Sequence, residues 1–302
     1  MKKILLSAVL VGSLFAQEED FIEVGIGYES SKDNFSTSSQ SNINSFSNAK
    51  KENEVFGLIN FNYAYSVNEK TNIYIGSGYE NLYLGSEFET KLGLFDIGLT
   101  FNIGDEEWQN PFDINENRKK TDVDEVGMYV GYSFELSESF QSKLLYSYSK
   151  RSYDTETVQE DLKRDGNRHV ITLDNSYTTN VFDKEVTFLI DGSYEQYNAQ
   201  GASSNYDYYS VGLGISSDII NNINFTFLTN NGRKKYDKSN SVFDKRVDST
   251  TNSVVGIFKF NDYFGYENFY VTVTSGLEKE DSNVNFYNKE NIFALLSIGY
   301  KF

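Results

Sequence analysis

Apolar and polar residues alternate with a period of two through most of the chain. In residues 21 to 30, FIEVGIGYES, Ile22, Val24, Ile26 and Tyr28 fall on one side and Glu23, Gly25, Gly27 and Glu29 on the other. The same pattern recurs in VGMYVGYSFE (126 to 135), EVTFLIDGSYEQ (185 to 196), DYYSVGLGISSD (207 to 218), NINFTFLTNN (222 to 231) and NFYVTVTSGLE (268 to 278). Alternation of this kind predicts strands with two unlike faces. Each segment has about the ten residues that a tilted strand needs to cross hydrocarbon. A soluble sandwich also alternates, but its wetted face is charged. Here the polar face is small, glycine-rich and hydroxylated, which suits a wet lumen. Closing so many strands into a barrel also removes their edges.

The connections set the topology. Compact turns are predicted at 66 to 71, 137 to 139, 179 to 184, 218 to 221 and 261 to 267, and long polar loops at 31 to 52, 104 to 123, 153 to 167, 198 to 205, 237 to 248 and 281 to 288. Short periplasmic turns with long outer loops are the asymmetry of outer-membrane barrels. Residues 72 to 103 strain the count: read as three short strands they give fourteen, and read as one continuous hairpin, twelve. Fourteen keeps every long loop on one side. The fold class expected is therefore all-β, a transmembrane antiparallel up-and-down β-barrel of fourteen, alternatively twelve, strands.

Both ends of the chain agree with this. MKKILLSAVLVGSLFA, residues 1 to 16, has two lysines, an apolar run and a small terminal residue, and reads as a secretory signal peptide. Residues 17 to 302 then form a single barrel domain in the bacterial outer membrane. The last residues, FALLSIGYKF, alternate to the end, and Leu296, Ile298, Tyr300 and Phe302 are expected to face lipid, with Phe302 at the periplasmic interface. LLSIGYKF resembles the C-terminal insertion signal of outer-membrane barrels, which implies the barrel-insertion machinery as a partner alongside membrane lipid and lipopolysaccharide.

Composition removes several kinds of chemistry. The chain has no Cys, one His, one Trp and one Pro, against 23 Tyr and 24 Phe, and a formal net charge of -17. Loss of Lys2 and Lys3 with the signal lowers the basic residues from 27 to 25 against 44 acidic ones, or -19. Cysteine-based redox and metal chemistry is excluded, and nucleic acid is disfavoured by the charge.

The stretch GDEEWQNPFDINENRKKTDV, residues 104 to 123, holds the only Trp and the only Pro. With LKRDGN (162 to 167), FGYENF (264 to 269) and the final segment, it resembles the domain of unknown function 2860 family of bacterial outer-membrane proteins. The family's W-x-[DN]-P-[FY] stretch is matched by Trp108, Asn110, Pro111 and Phe112, and its R-x-x-T-D stretch by Arg118, Thr121 and Asp122. The resemblance covers about residues 20 to 302 and implies location and fold without an activity.

No enzyme is expected. His169 is followed by Val170 and Ile171, so the His-x-Ser of phospholipase-type barrels is missing, and a lone His near Asp165 is a weak basis for a protease. Acidic runs at 104 to 107 and near 280 could meet divalent cations, but solvated loops explain them as well. No cofactor is expected.

The candidate site is physical instead. Trp108, Pro111, Phe112, Arg118 and Asp122 are expected to form a constriction or lid, because an exposed Trp-Pro-Phe cluster would lack a partner; packing on the rim is the alternative. Lys143, Lys150, Arg151, Arg164, Arg233, Lys234 and Lys235 are read at the outer ends of strands, facing Asp191, Glu195 and Glu278 across a lumen or its rim. Opposed charges of that kind either set a transverse field or close the barrel with salt bridges. The function expected is a passive, porin-like channel for small hydrophilic solutes. The alternative is a closed barrel for adhesion or lipopolysaccharide contact. A transporter of apolar molecules is disfavoured, because fatty-acid transporters carry an N-terminal plug and strand one here begins within a few residues of the signal.

Overall fold

The computed structural model describes residues 20 to 302 other than 79, 80, 221, 263 and 264, so the signal peptide read over residues 1 to 16 lies outside it. Fourteen strands form one closed antiparallel barrel. β1 (Phe21–Lys32), β2 (Glu52–Asn68), β3 (Thr71–Ser77), β4 (Leu82–Thr90) and β5 (Gly93–Trp108) lead into β6 (Lys120–Ser137), β7 (Phe140–Tyr153), β8 (Gly166–Val181) and β9 (Lys184–Ala199). β10 (Tyr206–Ile220), β11 (Ile223–Asn240), β12 (Lys245–Asn261), β13 (Phe269–Ser282) and β14 (Lys289–Lys301) complete the wall. β14 closes on β1 in unbroken register from Phe21↔Lys301 to Lys32↔Glu290. The larger strand count holds, and β3, β4 and β5 are the three strands read over 72 to 103.

The two faces follow from the pleat. Ile22, Val24, Ile26 and Tyr28 are exposed, as are Val211 and Leu213 on β10 and Leu296 and Ile298 on β14. Exposure of this apolar band makes sense only in lipid. At the periplasmic end the band finishes in touching aromatic rings: Phe88 with Phe95, Phe95 with Tyr132, and Phe269 with Tyr300. Phe302 is 60% exposed and its ring centroid lies 6.4 Å from that of Tyr63.

Two loop assignments need correction. Residues 104 to 108 belong to β5, and of the loop read over 237 to 248 only residues 241 to 244 are not strand. The strands continue past the hydrocarbon, where water tolerates polar side chains on both faces and the ladder still satisfies the backbone. Polarity in the sequence marks where a strand leaves the membrane rather than where it ends. A two-residue periplasmic turn joins β8 to β9 through Phe182 and Asp183, both at positive φ (50° and 61°), the geometry of a type I′ hairpin.

Candidate functional site

The outer mouth is covered. Phe112, Val158, Leu162, Val284, Phe286 and Tyr287 form a buried cluster with Val247 of β12, and Phe35, Ile43, Phe46, Val242 and Phe243 pack against it. These side chains come from the loops after β1, β5, β7, β11 and β13, which leave the wall at points spread around its circumference. Their convergence puts an apolar cap across the opening. Phe286 is fully buried, with Phe35, Phe46, Phe112 and Phe243 rings centred 5.5 to 5.7 Å away.

Arg118 ties the cap together. It is 4% exposed and donates to the carbonyl oxygens of Asn34 (2.6 Å), Pro111 (3.3 Å) and Gln40 and to Ser39 Oγ (3.0 Å). Its guanidinium lies 4.4 Å from the Trp108 ring centroid, and Trp108 Nε1 donates to the Ser36 carbonyl at 3.0 Å. Burial pushes the Arg118 pKa down to about 10, while Asp33 and Asp113 pull it up, so it stays charged at neutral pH. Burial, with Glu116 beside it, raises the Asp113 carboxyl above its ordinary value, against the pull of Arg118.

Beneath the cap lies a charged collar. Glu107 accepts from Arg151 (2.5 Å), Arg164 (3.1 Å) and the Tyr153 hydroxyl (2.7 Å). Arg164 also pairs with Glu156 at 2.7 Å and donates to the Trp108 carbonyl at 2.6 Å. Burial opposes its charge, but Tyr153, Glu107 and Glu156 offset that and raise its pKa. Arg168 bridges Glu195 (3.1 Å) and Glu125 (3.5 Å), and Tyr206 donates to Glu195 at 2.6 Å.

Below the collar the lumen wall has two unlike sides. On one, cross-strand pairing sets Phe293, Gly276, Val255, Leu228, Gly214 and Leu189 in a single row from β14 to β9. Leu189, Leu228, Val255 and Phe293 are buried together, with Phe56 and Ile257 against them. Because strands in a barrel tilt, the row slopes from the outer half of β14 to the periplasmic third of β9. The other side is polar. Tyr74 bonds to Asp96 and to the Tyr129 hydroxyl, Lys143 pairs with Asp96 at 3.3 Å, and the fully buried Asp174 has neither carboxylate oxygen hydrogen-bonded among the described residues.

The structure brings Trp108, Pro111, Phe112 and Arg118 into the cap; Asp122 points outward beside it. Arg151, Arg164 and Glu195 stand in the collar, and Glu278 and Asp191 are buried on the inner wall. Four basic residues read as rim charges lie elsewhere. Lys143 is the inward residue near the periplasmic start of β7, because that strand runs outward from Phe140. Arg233 is on the outer face, paired with Asp248 at 2.8 Å, since its register partners Tyr209 and Thr250 also face out. Lys150 and Lys235 likewise alternate outward. Leu296, Ile298 and Tyr300 face lipid as expected. Missed altogether were Glu107 as the hub of the collar and the loop aromatics Phe35, Phe46, Phe243 and Phe286. A Phe inside the loops over 31 to 52, 237 to 248 and 281 to 288 carried the same signal as the Trp-Pro-Phe run.

A family model described as protein of unknown function (DUF2860) matches residues 19 to 301. No curated protein matches the chain. Among solved structures, a Pseudomonas aeruginosa FadL homologue superposes with a TM-score of 0.53 at 9% identity, covering 94% of this chain and 91% of that one. A TodX ΔS2S3 mutant, a monoaromatic hydrocarbon channel, gives 0.53 at 10% identity (99% and 94%), and the Pseudomonas putida toluene transporter TodX gives 0.51 at 11% (99% and 93%). At these identities the likeness is one of fold.

Proposed function

The chain belongs to the DUF2860 family, and we propose that it is an outer-membrane channel for small molecules with an apolar part, held shut at its outer mouth by the loop cap. It is an integral β-barrel of the bacterial outer membrane. The observation that carries the reading is the apolar row from Phe293 to Leu189 on the inner wall. Leu189, Leu228, Val255 and Phe293 pack against one another with at most 7% of each exposed, and a pore for hydrophilic solutes has no use for such an apolar cluster on its inner wall. An apolar solute in the lumen covers the partly buried Phe56 and Ile257 at the edge of that cluster, gaining on the order of 25 cal/mol per Å² of apolar surface removed from water. The opposite arc of Tyr74, Tyr129, Asp96 and Lys143 suits a polar group on the same solute or the water beside it.

The cap supplies the closure that sequence reasoning sought at the N-terminus. Loop side chains close the outer mouth by themselves, so an apolar cargo does not depend on an N-terminal plug. The hydrocarbon channels of similar fold agree with this class of cargo, but the row itself is the argument. The reading gives the protein no enzymatic step, and leaves recognition of the last strand and contact with lipopolysaccharide as expectations of its place in the membrane.

The test compares cells with and without the protein for entry of an apolar fluorophore, phenylnaphthylamine, across the lipopolysaccharide leaflet, and compares proteoliposomes for swelling in small sugars. Faster fluorophore entry without sugar swelling supports the proposal. Sugar swelling alone would favour the hydrophilic pore, and no effect on either would favour a closed surface barrel.

A further inference from the structure

The wall is not equally tall all the way round. β3 has 7 residues and β4 has 9, between β2 with 17 and β5 with 16. The β2–β3 ladder ends at Phe61↔Ser77, β3–β4 at Ser77↔Leu82, and β4–β5 at Leu82↔Phe101. β2 nevertheless runs on outward, paired to β1 as far as Ser31↔Glu52, and β5 runs on to Trp108↔Lys120 against β6. Above the β3–β4 hairpin the two long strands therefore face each other across a notch. Among the described residues the one bridge onto either free edge is Ser36↔Glu107, near the top.

The notch lies at membrane depth. Val55 and Ile59 on the outer face of β2 are 63% and 69% exposed, and Val126, paired with Phe101, is exposed on the far side. From Phe61 out to Val55 the apolar face climbs roughly 15 Å for strands tilted near 40°. An open sheet edge does not persist against lipid unless it lines a cavity.

Behind the edge the lumen is apolar. Phe56 and Leu58 are the inward residues of the same β2 stretch, and their partners on β1 are Gly27 and Gly25. The glycines leave the wall bare, and a Cβ on Gly27 would collide with the Phe56 ring. Phe56 then meets the row that begins at Phe293. Apolar surface thus wraps the free edge of β2 from Val55 and Ile59 outside to Phe56 and Leu58 inside, and continues down the far wall.

We propose that the notch between β2 and β5 is a doorway through which small apolar molecules pass between the outer leaflet and the apolar row of the lumen, sideways beneath the capped mouth. The proposal rests on the channel reading above and supplies its route. Because the chain has no Cys, single cysteines report one position each. Leu58→Cys, the lipid-facing Ile59→Cys and the inward Ser253→Cys, on the intact wall, are labelled with bimane in the refolded barrel and reconstituted with lipid carrying a nitroxide on its acyl chain. The expected result is quenching at 58 and 59 and none at 253, together with loss of phenylnaphthylamine entry when Leu58→Cys, but not Ser253→Cys, carries a bulky maleimide.

Equal lack of quenching at 58 and 253, with fluorophore entry intact, overturns the doorway and leaves the channel reading standing. Quenching at 58 with entry unaffected by the maleimide means that a lipid chain merely occupies the notch, and also overturns passage. Absence of fluorophore entry in the unlabelled protein removes the channel reading itself.

Discussion

Arg118→Met should open the cap without unfolding the barrel. The guanidinium serves three carbonyls and one hydroxyl, and its bonds to Asn34 and Pro111 are buried. Leaving those two carbonyls without a donor costs about 1 to 3 kcal/mol each. Loss of the charge over Trp108, 4.4 Å away, adds roughly 1 kcal/mol. The methionine keeps part of the apolar packing and water re-solvates some carbonyls at the mouth, so the net loss is about 3 to 4 kcal/mol. At about 1.4 kcal/mol per factor of ten, cap opening becomes two to three orders of magnitude more frequent.

The loss is local because Arg118 touches loops and no barrel ladder runs through it. Hydrogen exchange reads this directly. The amides of Asn115 and Arg118 donate across to the carbonyls of Ile43 and Ser41 at 2.7 Å each, and these bonds exist only while the loops after β1 and β5 are joined. Protection at 115 and 118 should fall by the stated factor while amides of the β10–β11 ladder keep theirs. Bilayer recordings of the same variant should show brief openings rare in the parent. Unchanged protection at these two amides would refute the role given to Arg118, and loss of protection throughout the barrel would refute its locality.

Other expectations follow from the same contacts. Lys143→Met removes the partner of a buried pair, with side chains 7% and 8% exposed, and leaves Asp96 and Asp174 uncompensated; a loss of roughly 3 to 5 kcal/mol is expected in the urea midpoint, and adding Asp96→Asn should restore part of it. The raised Asp113 carboxyl binds its proton more tightly with the cap closed, so that contribution is complete below its ordinary pKa of 3.8 and fades as pH rises through the raised value. Opening events should therefore be rarer near about pH 4 than at neutrality, and Asp113→Asn should flatten the dependence in bilayer recordings. Replacing Phe182 and Asp183 with Asn and Gly, which tolerate the positive φ of both positions, should stabilise the β8–β9 turn by roughly 1 kcal/mol in the same urea assay. Deleting Phe302 removes the ring stacked on Tyr63 and should reduce the heat-modifiable, folded fraction in outer-membrane preparations.

Lipid made the wall legible in the sequence, because it demands an apolar residue at every second position and tolerates almost nothing else. Ile22, Val24 and Ile26, or Leu296 and Ile298, could hardly face elsewhere. Above the membrane that demand ends, which is why β11 and β12 run on through residues the pattern assigned to a loop. Lys143 and Arg233 were misplaced for different reasons. The height of Lys143 depends on which way β7 runs, and the side of Arg233 on the register of β10 and β12; basic character specifies neither. Phe112 was recognised as needing cover, but its partners Phe35, Phe243 and Phe286 lie in separate polar loops far apart in the sequence, and only convergence of five loops brings them together. Residues 72 to 103 were visible as short strands, yet a notch is a relation between β2 and β5, which lie on either side of that segment.

The cap and the notch constrain each other. A mouth sealed by five loops cuts the apolar row off from the external water, so material from outside reaches it either by breaking the cap or by coming through the wall. Breaking the cap exposes Phe286 and its neighbours to water and separates Arg118 from its carbonyls, a cost of several kcal/mol that no small apolar solute recovers before it has entered. Passage through the notch exposes no comparable surface, since Val55, Ile59, Phe56 and Leu58 offer apolar contact on both sides of one edge. Apolar flux should therefore be indifferent to Arg118→Met and sensitive to a bulky group at 58, while ion conductance should show the reverse. Had one variant altered both in parallel, cap and notch would be parts of a single gate, and the separation drawn between them would fall.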